Sequence, residues 1–174
     1  MKTKNVRMGR KRKLLALTAL FLSVVLLGCD KKNREQNPVE IVWDRDTCAE
    51  CRMAVSDKRY GAQVIDRDGK AFFFDDIGCA VVWMKKQPES TGMRVWVGDA
   101  NTTQWIEAKT ANWFYGDPHT PMGYGYRATE ASVENAISFD TVVKWIGRGK
   151  TLMNENRTKH MGEGHHLPSG HLSQ

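Results

Sequence analysis

The sequence predicts an α+β fold in which two β-rich halves each run into a helix. Three observations carry that expectation. Turn signals separate short runs of β-branched and aromatic residues. Two later stretches set apolar residues at i, i+3, i+4 and i+7 behind a capping side chain. A charge-segregated N-terminal stretch stands apart from everything that follows.

That stretch comes first in chain order. The chain has 174 residues and a formal charge of +6, and residues 1–28 hold seven Lys or Arg and no acid. Residues 29–174 therefore carry −1, which removes most of the case for a nucleic-acid partner. Leu14–Leu27 is apolar or small throughout, too short to span a bilayer as a helix but suited to a signal-peptide core. It ends Leu26-Leu27-Gly28-Cys29, which resembles the lipobox of bacterial lipoproteins. The resemblance implies cleavage before Cys29 and a lipid on its sulfur. Asp30 resembles the signal that retains such proteins on the outer leaflet of the inner membrane. Residues 29–39 then read as a flexible polar tether, and the remainder as a lipid-anchored domain of the cell envelope facing the periplasm.

The first half spans about residues 40–99. Glu40–Trp43 is a strand candidate leading into a cysteine loop. Gly61–Asp66 and Lys70–Phe74 flank Arg67-Asp68-Gly69 as a hairpin. Asp75 and Asp76 cap a helix running to about Gln87, with Ile77, Ala80, Val81 and Met84 as its buried stripe and Pro88 just beyond. Arg94–Val97 completes the unit as a strand.

The second half spans about residues 100–149. Gln104–Ala108, Asn112–Tyr115 and Tyr126–Thr129 read as strands, with the turn-rich Gly116–Gly125 before the last. Ser138 caps a helix whose stripe is Phe139, Val142, Val143 and Ile146, closed by Gly147 and Gly149. Residues 150–174 are polar and His-rich, and are expected to lack ordered structure.

Four Cys, eight Met and five His point to soft-ligand chemistry. With Cys29 spent on lipid, three Cys remain, and an odd number argues against a pure disulfide framework. Cys48-Ala49-Glu50-Cys51 is a C-x-x-C, compatible with a redox pair, half a zinc site or a soft-metal loop. Zinc needs a second pair of ligands, and only Cys79 and His119 stand inside the domain. A thioredoxin-like motif opens a helix, whereas here a turn and a hairpin follow. Met53 stands two residues after Cys51, and thiolate plus thioether suits Cu(I). Core packing is the equal alternative for Met53. His119-Thr120-Pro121-Met122-Gly123-Tyr124-Gly125 holds Met122 on a turn, as a second thioether or as packing. His119 is a further donor candidate or a solvated loop residue. Cys79, beside the buried stripe, reads as a packed thiol. Asp75 and Asp76 read as helix caps with no acid-base partner, so no catalytic residue is expected. His160, His165, His166, His171 and Met161 either gather copper or are simply solvated.

Cys48-x-x-Cys51-x-Met53, Ala62-Gln63, Asp68-Gly69, Phe73-Phe74-Asp75-Asp76-x-Gly78-Cys79 and Thr120-Pro121-Met122-Gly123 together resemble the NosL family. Those proteins are lipoprotein copper chaperones of nitrous oxide reductase assembly. The likeness is close over Cys48–Val97 and looser over Trp105–Arg127. It implies two ββαβ-like units in one compact extracytoplasmic domain, with a Cu(I) site at Cys51, Met53 and Met122. Cys48 would add a second thiolate or pair with Cys51 in an oxidised apo form. The implied partners are nitrous oxide reductase and its membrane maturation complex. Arg52 stands where the family has Gly, and Glu130–Gly147 matches weakly. The competing expectation is an envelope thiol-disulfide oxidoreductase working through Cys48 and Cys51.

Overall fold

A computed structural model of the chain describes residues 37–163 apart from Glu89. The leader, Cys29, most of the tether and the last eleven residues, which include three of the tail histidines, lie outside the described residues. The elements are β1 (Ala62–Ile65), β2 (Ala71–Phe74), α1 (Ile77–Lys85), β3 (Arg94–Gly98), β4 (Trp105–Glu107), β5 (Asn112–Tyr115), β6 (Tyr126–Thr129), α2 (Phe139–Gly147) and α3 (Leu152–Glu163). The α+β class is as expected, with every strand ladder antiparallel. Among the described residues no helix is long and apolar enough to cross a membrane.

One sheet has the order β2-β1-β3-β4, and a second pairs β5 with β6. β4 thus joins the sheet of the first half, with Val97 opposite Ile106. The second half keeps β5, β6 and α2 for itself. Asp99 fastens the halves together. Its buried carboxylate accepts the amides of Asn101 (2.7 Å), Thr102 (3.0 Å) and Glu130 (2.7 Å) and the Thr129 hydroxyl (3.1 Å). Burial opposes its ionisation, but these donors together outweigh that cost and hold its carboxyl below the usual range.

β1 is buried along its whole length. Gln63 is fully buried there, and its amide binds both main-chain groups of Val39 at 2.9 and 2.8 Å. A side chain therefore does the pairing expected of a strand at Glu40–Trp43, and no strand forms there. Ile41 is buried and Trp43 packs half-buried against the core, while Asp46 Oδ2 takes the Val42 amide at 2.8 Å to start a turn instead.

Both helices start where the capping residues place them. Asp76 accepts from the Gly78 amide at 2.9 Å, and Ser138 from the Thr141 amide at 3.3 Å. α1 packs on β1 and β2, and α2 closes the other side of the core through Phe139, which stacks on Trp113 with centroids 5.6 Å apart. Trp113 is almost fully buried, and its indole N–H is satisfied by the Ala108 carbonyl at 2.9 Å.

The expected absence of order beyond Lys150 is corrected over residues 152–163, which form α3. Thr151 Oγ1 caps it through the Asn154 amide at 3.2 Å. Leu152 lies so close over Gly125 that a Cβ there would stand 2.5 Å from Leu152 Cγ. Glu155 accepts the Tyr115 hydroxyl at 2.6 Å, and the Met153 amide reaches the Gly123 carbonyl at 2.8 Å. The helix is polar in composition and is held by this single anchored turn.

Candidate metal centre

The cysteine loop is a tight turn closed at its base. Thr47 and Ala54 form a bridge, the Cys48 amide donates to the Met53 carbonyl at 2.8 Å, and the Arg52 amide donates to the Cys48 carbonyl at 3.0 Å. Arg52 adopts φ 68°, in the left-handed region that favours glycine. The turn is thus formed with a residue that tolerates its geometry at a cost. The Ala49 amide donates to the Phe73 carbonyl at 2.8 Å, which docks the loop on β2, and Glu50 pairs with Lys86 just past α1.

β2 runs straight into α1, so the first turn of that helix faces the loop it supports. Cys79 sits there. The sulfur atoms of Cys48, Cys51 and Cys79 all lie within 4.8 Å of one another, and all three are free thiols. Cys48 and Cys79 are buried and Cys51 is half-buried. Three converging thiols can hold one metal ion. Among the described residues the group contains no His and no carboxylate.

The thiols differ in acidity. A hydrogen bond from Cys79 to Cys48, supported by backbone amides of Cys51, Asp75 and Glu50, lowers Cys48 to about 5 despite burial. Donating that bond, together with burial, pushes the Cys79 thiol far up. Burial also raises Cys51. A metal ion taken by all three sulfurs displaces whatever protons the thiols carry.

No family model matches the chain, and no curated protein sequence matches it either.

The other expected donors fall in different places. Met53 is 48% exposed, with its backbone closing the loop that carries Cys51. Met122 is half-buried against the core, and its amide donates to Asp76 Oδ2 at 3.3 Å. The Thr120–Gly125 turn thus rests on the N-terminus of α1, the same turn of helix that carries Cys79. His119 lies elsewhere in character: its side chain is 77% exposed, and its Nδ1 stands 3.1 Å from Asp117 Oδ1. The structure does not bring it into the sulfur group.

Cys79 is packed, as expected, but against two other thiols. Its signal was present in the chain order: an unpaired Cys in the first turn of a helix that directly follows the strand bearing the C-x-x-C loop. Asp76 is a helix cap as expected, and burial pushes its carboxyl up to about 7. Asp75 holds the Ser56 amide at 3.0 Å instead of capping the helix.

Proposed function

We propose that this chain is a Cu(I)-binding chaperone of the cell envelope, anchored through acylated Cys29, that supplies copper for nitrous oxide reductase assembly. The observation that carries the reading is the convergence of three cysteine sulfurs, with no His or carboxylate in the group among the described residues. Zinc favours four ligands in a closed tetrahedron, whereas a soft monovalent ion is served by two or three thiolates. Buried Cys48 and Cys79 retain the ion, and half-exposed Cys51 is where an incoming ligand adds. Met53, exposed two residues further on, supplies a thioether during handover, and Met122 stands on the turn above α1. Ligand exchange of this kind involves no catalytic turnover. The recipient is inferred from the resemblance of the cysteine and Thr-Pro-Met-Gly motifs to the NosL family.

Transfer tests this directly. The Cu(I)-loaded full chain, mixed without oxygen with copper-free nitrous oxide reductase and with an unrelated copper-free cupredoxin, should pass its copper to the former. Retention of the ion, or equal transfer to both, removes the assigned role.

One observation favours a second reading, a thiol-disulfide oxidoreductase: Cys48 is a low-pKa thiolate inside a C-x-x-C. Its accessibility runs the wrong way. The thiolate that must attack is fully buried, while the accessible Cys51 has its pKa raised. Met53→Leu separates the readings, since it impairs copper transfer and leaves disulfide exchange untouched.

A further inference from the structure

Outside the sulfur cluster, a cavity of about 360 Å³ is lined by Arg59, Tyr60, Phe114, Asp117, His119 and Arg127, among others. Its floor is a buried carboxylate whose partners are fixed. Asp117 accepts the Tyr60 hydroxyl at 3.0 Å, the His119 amide at 3.0 Å and the His119 ring at 3.1 Å. Burial opposes its charge, but these donors prevail and keep its carboxyl below the usual range. Arg59 is also committed, because both oxygens of Asp57 hold its guanidinium, at 3.0 and 2.6 Å.

Arg127 is held more loosely than either. Its guanidinium lies 4.9 Å from the Phe114 ring centroid, and its Nε makes a long ion pair with Asp117 Oδ2 at 4.0 Å, whose charge it helps to stabilise. Among the described residues that guanidinium makes no hydrogen bond, and its side chain is 42% exposed. A guanidinium set over an aromatic ring, with no hydrogen bond taken up by its fork, binds a further carboxylate through two parallel N–H bonds. Phe114, 38% exposed, offers an apolar surface for the methylene stem of such a group.

We infer that this cavity is a docking site for an Asp or Glu side chain in an acidic segment of the protein that exchanges metal with this chain. Two features select a protein carboxylate over a free one. Arg, Tyr and Phe at one rigid spot match the composition of interface anchor points, and fixing them in advance lowers the ordering cost of association. His119 also stands three residues before Met122, on the turn that rests on α1. The cavity therefore borders the segment that continues into the turn seated on the helix end carrying Cys79. The identity of the partner as a metal-exchange protein rests on the proposed function; the carboxylate chemistry does not.

The test uses the copper-free full chain in detergent and calorimetric titration with acetylated, amidated hexaglutamate. Saturable binding is expected, weakened about tenfold or more by Arg127→Gln, partly restored by Arg127→Lys, and unchanged by Cys51→Ser. Absence of saturable binding overturns the inference, as does equal binding by Arg127→Gln with native circular dichroism. An equal loss from Lys144→Gln on exposed α2 overturns it too, by showing general charge attraction. Acetate or free glutamate binding as tightly as the peptide assigns the cavity to a small carboxylate and overturns docking. Because no copper is present, a chain that binds the peptide but not Cu(I) contradicts the metal reading alone.

Discussion

The ring of Tyr124 lies against the backbone of Gly78, so close that a Cβ on Gly78 would stand 2.0 Å from Tyr124 Cγ. This contact seats the Thr120–Gly125 turn on the first turn of α1, one residue before Cys79. The Asp76 carboxylate completes the seat by accepting the amides of Gly78 and Met122. Two segments far apart in sequence are thereby locked over one side of the sulfur cluster.

Gly78→Ala forces Tyr124 off that position. Overpacking at a rigid site of this kind costs about 1–3 kcal/mol. Urea unfolding should show a loss of that size, with an altered Tyr124 environment in near-ultraviolet circular dichroism. A variant as stable as wild type would show that the turn sits elsewhere.

Arg52→Gly relieves the one left-handed residue in the cysteine loop, at φ 68°. The expected gain is about 1 kcal/mol, partly offset by the greater freedom of glycine in the unfolded chain. Equilibrium unfolding measures it, and metal affinity should stay within a small factor. A clear loss of stability would mean that Arg52 makes an interaction outweighing the backbone strain.

Burial raises the Asp76 carboxyl to about 7, against about 4 in an unfolded chain. A group raised in the fold contributes stability that is complete below the unfolded value and is lost as pH climbs through the folded one. Asp76→Asn removes this titration while retaining an oxygen for the Gly78 amide. The stability of wild type minus that of the variant should therefore fall between about pH 4 and pH 7 and level off above. A constant difference across that window contradicts the buried, protonatable cap.

Much of the fold is legible from local pattern. Asp76 and Ser138 announce the two helices. Of the expected stripes, Ile77, Ala80, Val81, Phe139, Val142 and Ile146 are buried and Met84 and Val143 half-buried, while the first turn of α1 buries Gly78 and Cys79 as well. What local pattern does not carry is pairing between distant segments. β4 reads equally well as the start of a second unit, and only its ladder with β3 puts it in the first sheet. Gln63 reads as an ordinary strand residue, yet its amide replaces a whole strand partner for Val39. α3 is polar enough to suggest disorder, and forms because Leu152 and Glu155 find Gly125 and Tyr115.

The site divides in the same way. The Cys48–Met53 loop is legible because its ligand types and its turn are contiguous. Cys79 is harder to assign, since a thiol beside an apolar stripe looks like packing until the helix is placed against the loop. His119 is drawn toward Met122 by sequence proximity, but the buried carboxylate of Asp117 two residues earlier takes its ring.

Three thiols, including the helix-borne Cys79, form the proposed seat of one Cu(I). Competitive titration of the reduced full chain with a colorimetric Cu(I) chelator tests it most directly, on wild type and on Cys48→Ser, Cys51→Ser, Cys79→Ser and Met53→Leu. One equivalent should bind to wild type. Each serine variant should lose about tenfold or more in affinity, because a hydroxyl is a poor ligand for a soft ion. Met53→Leu should lose less than any of them. Cys79→Ser binding Cu(I) as tightly as wild type would contradict the three-thiol seat.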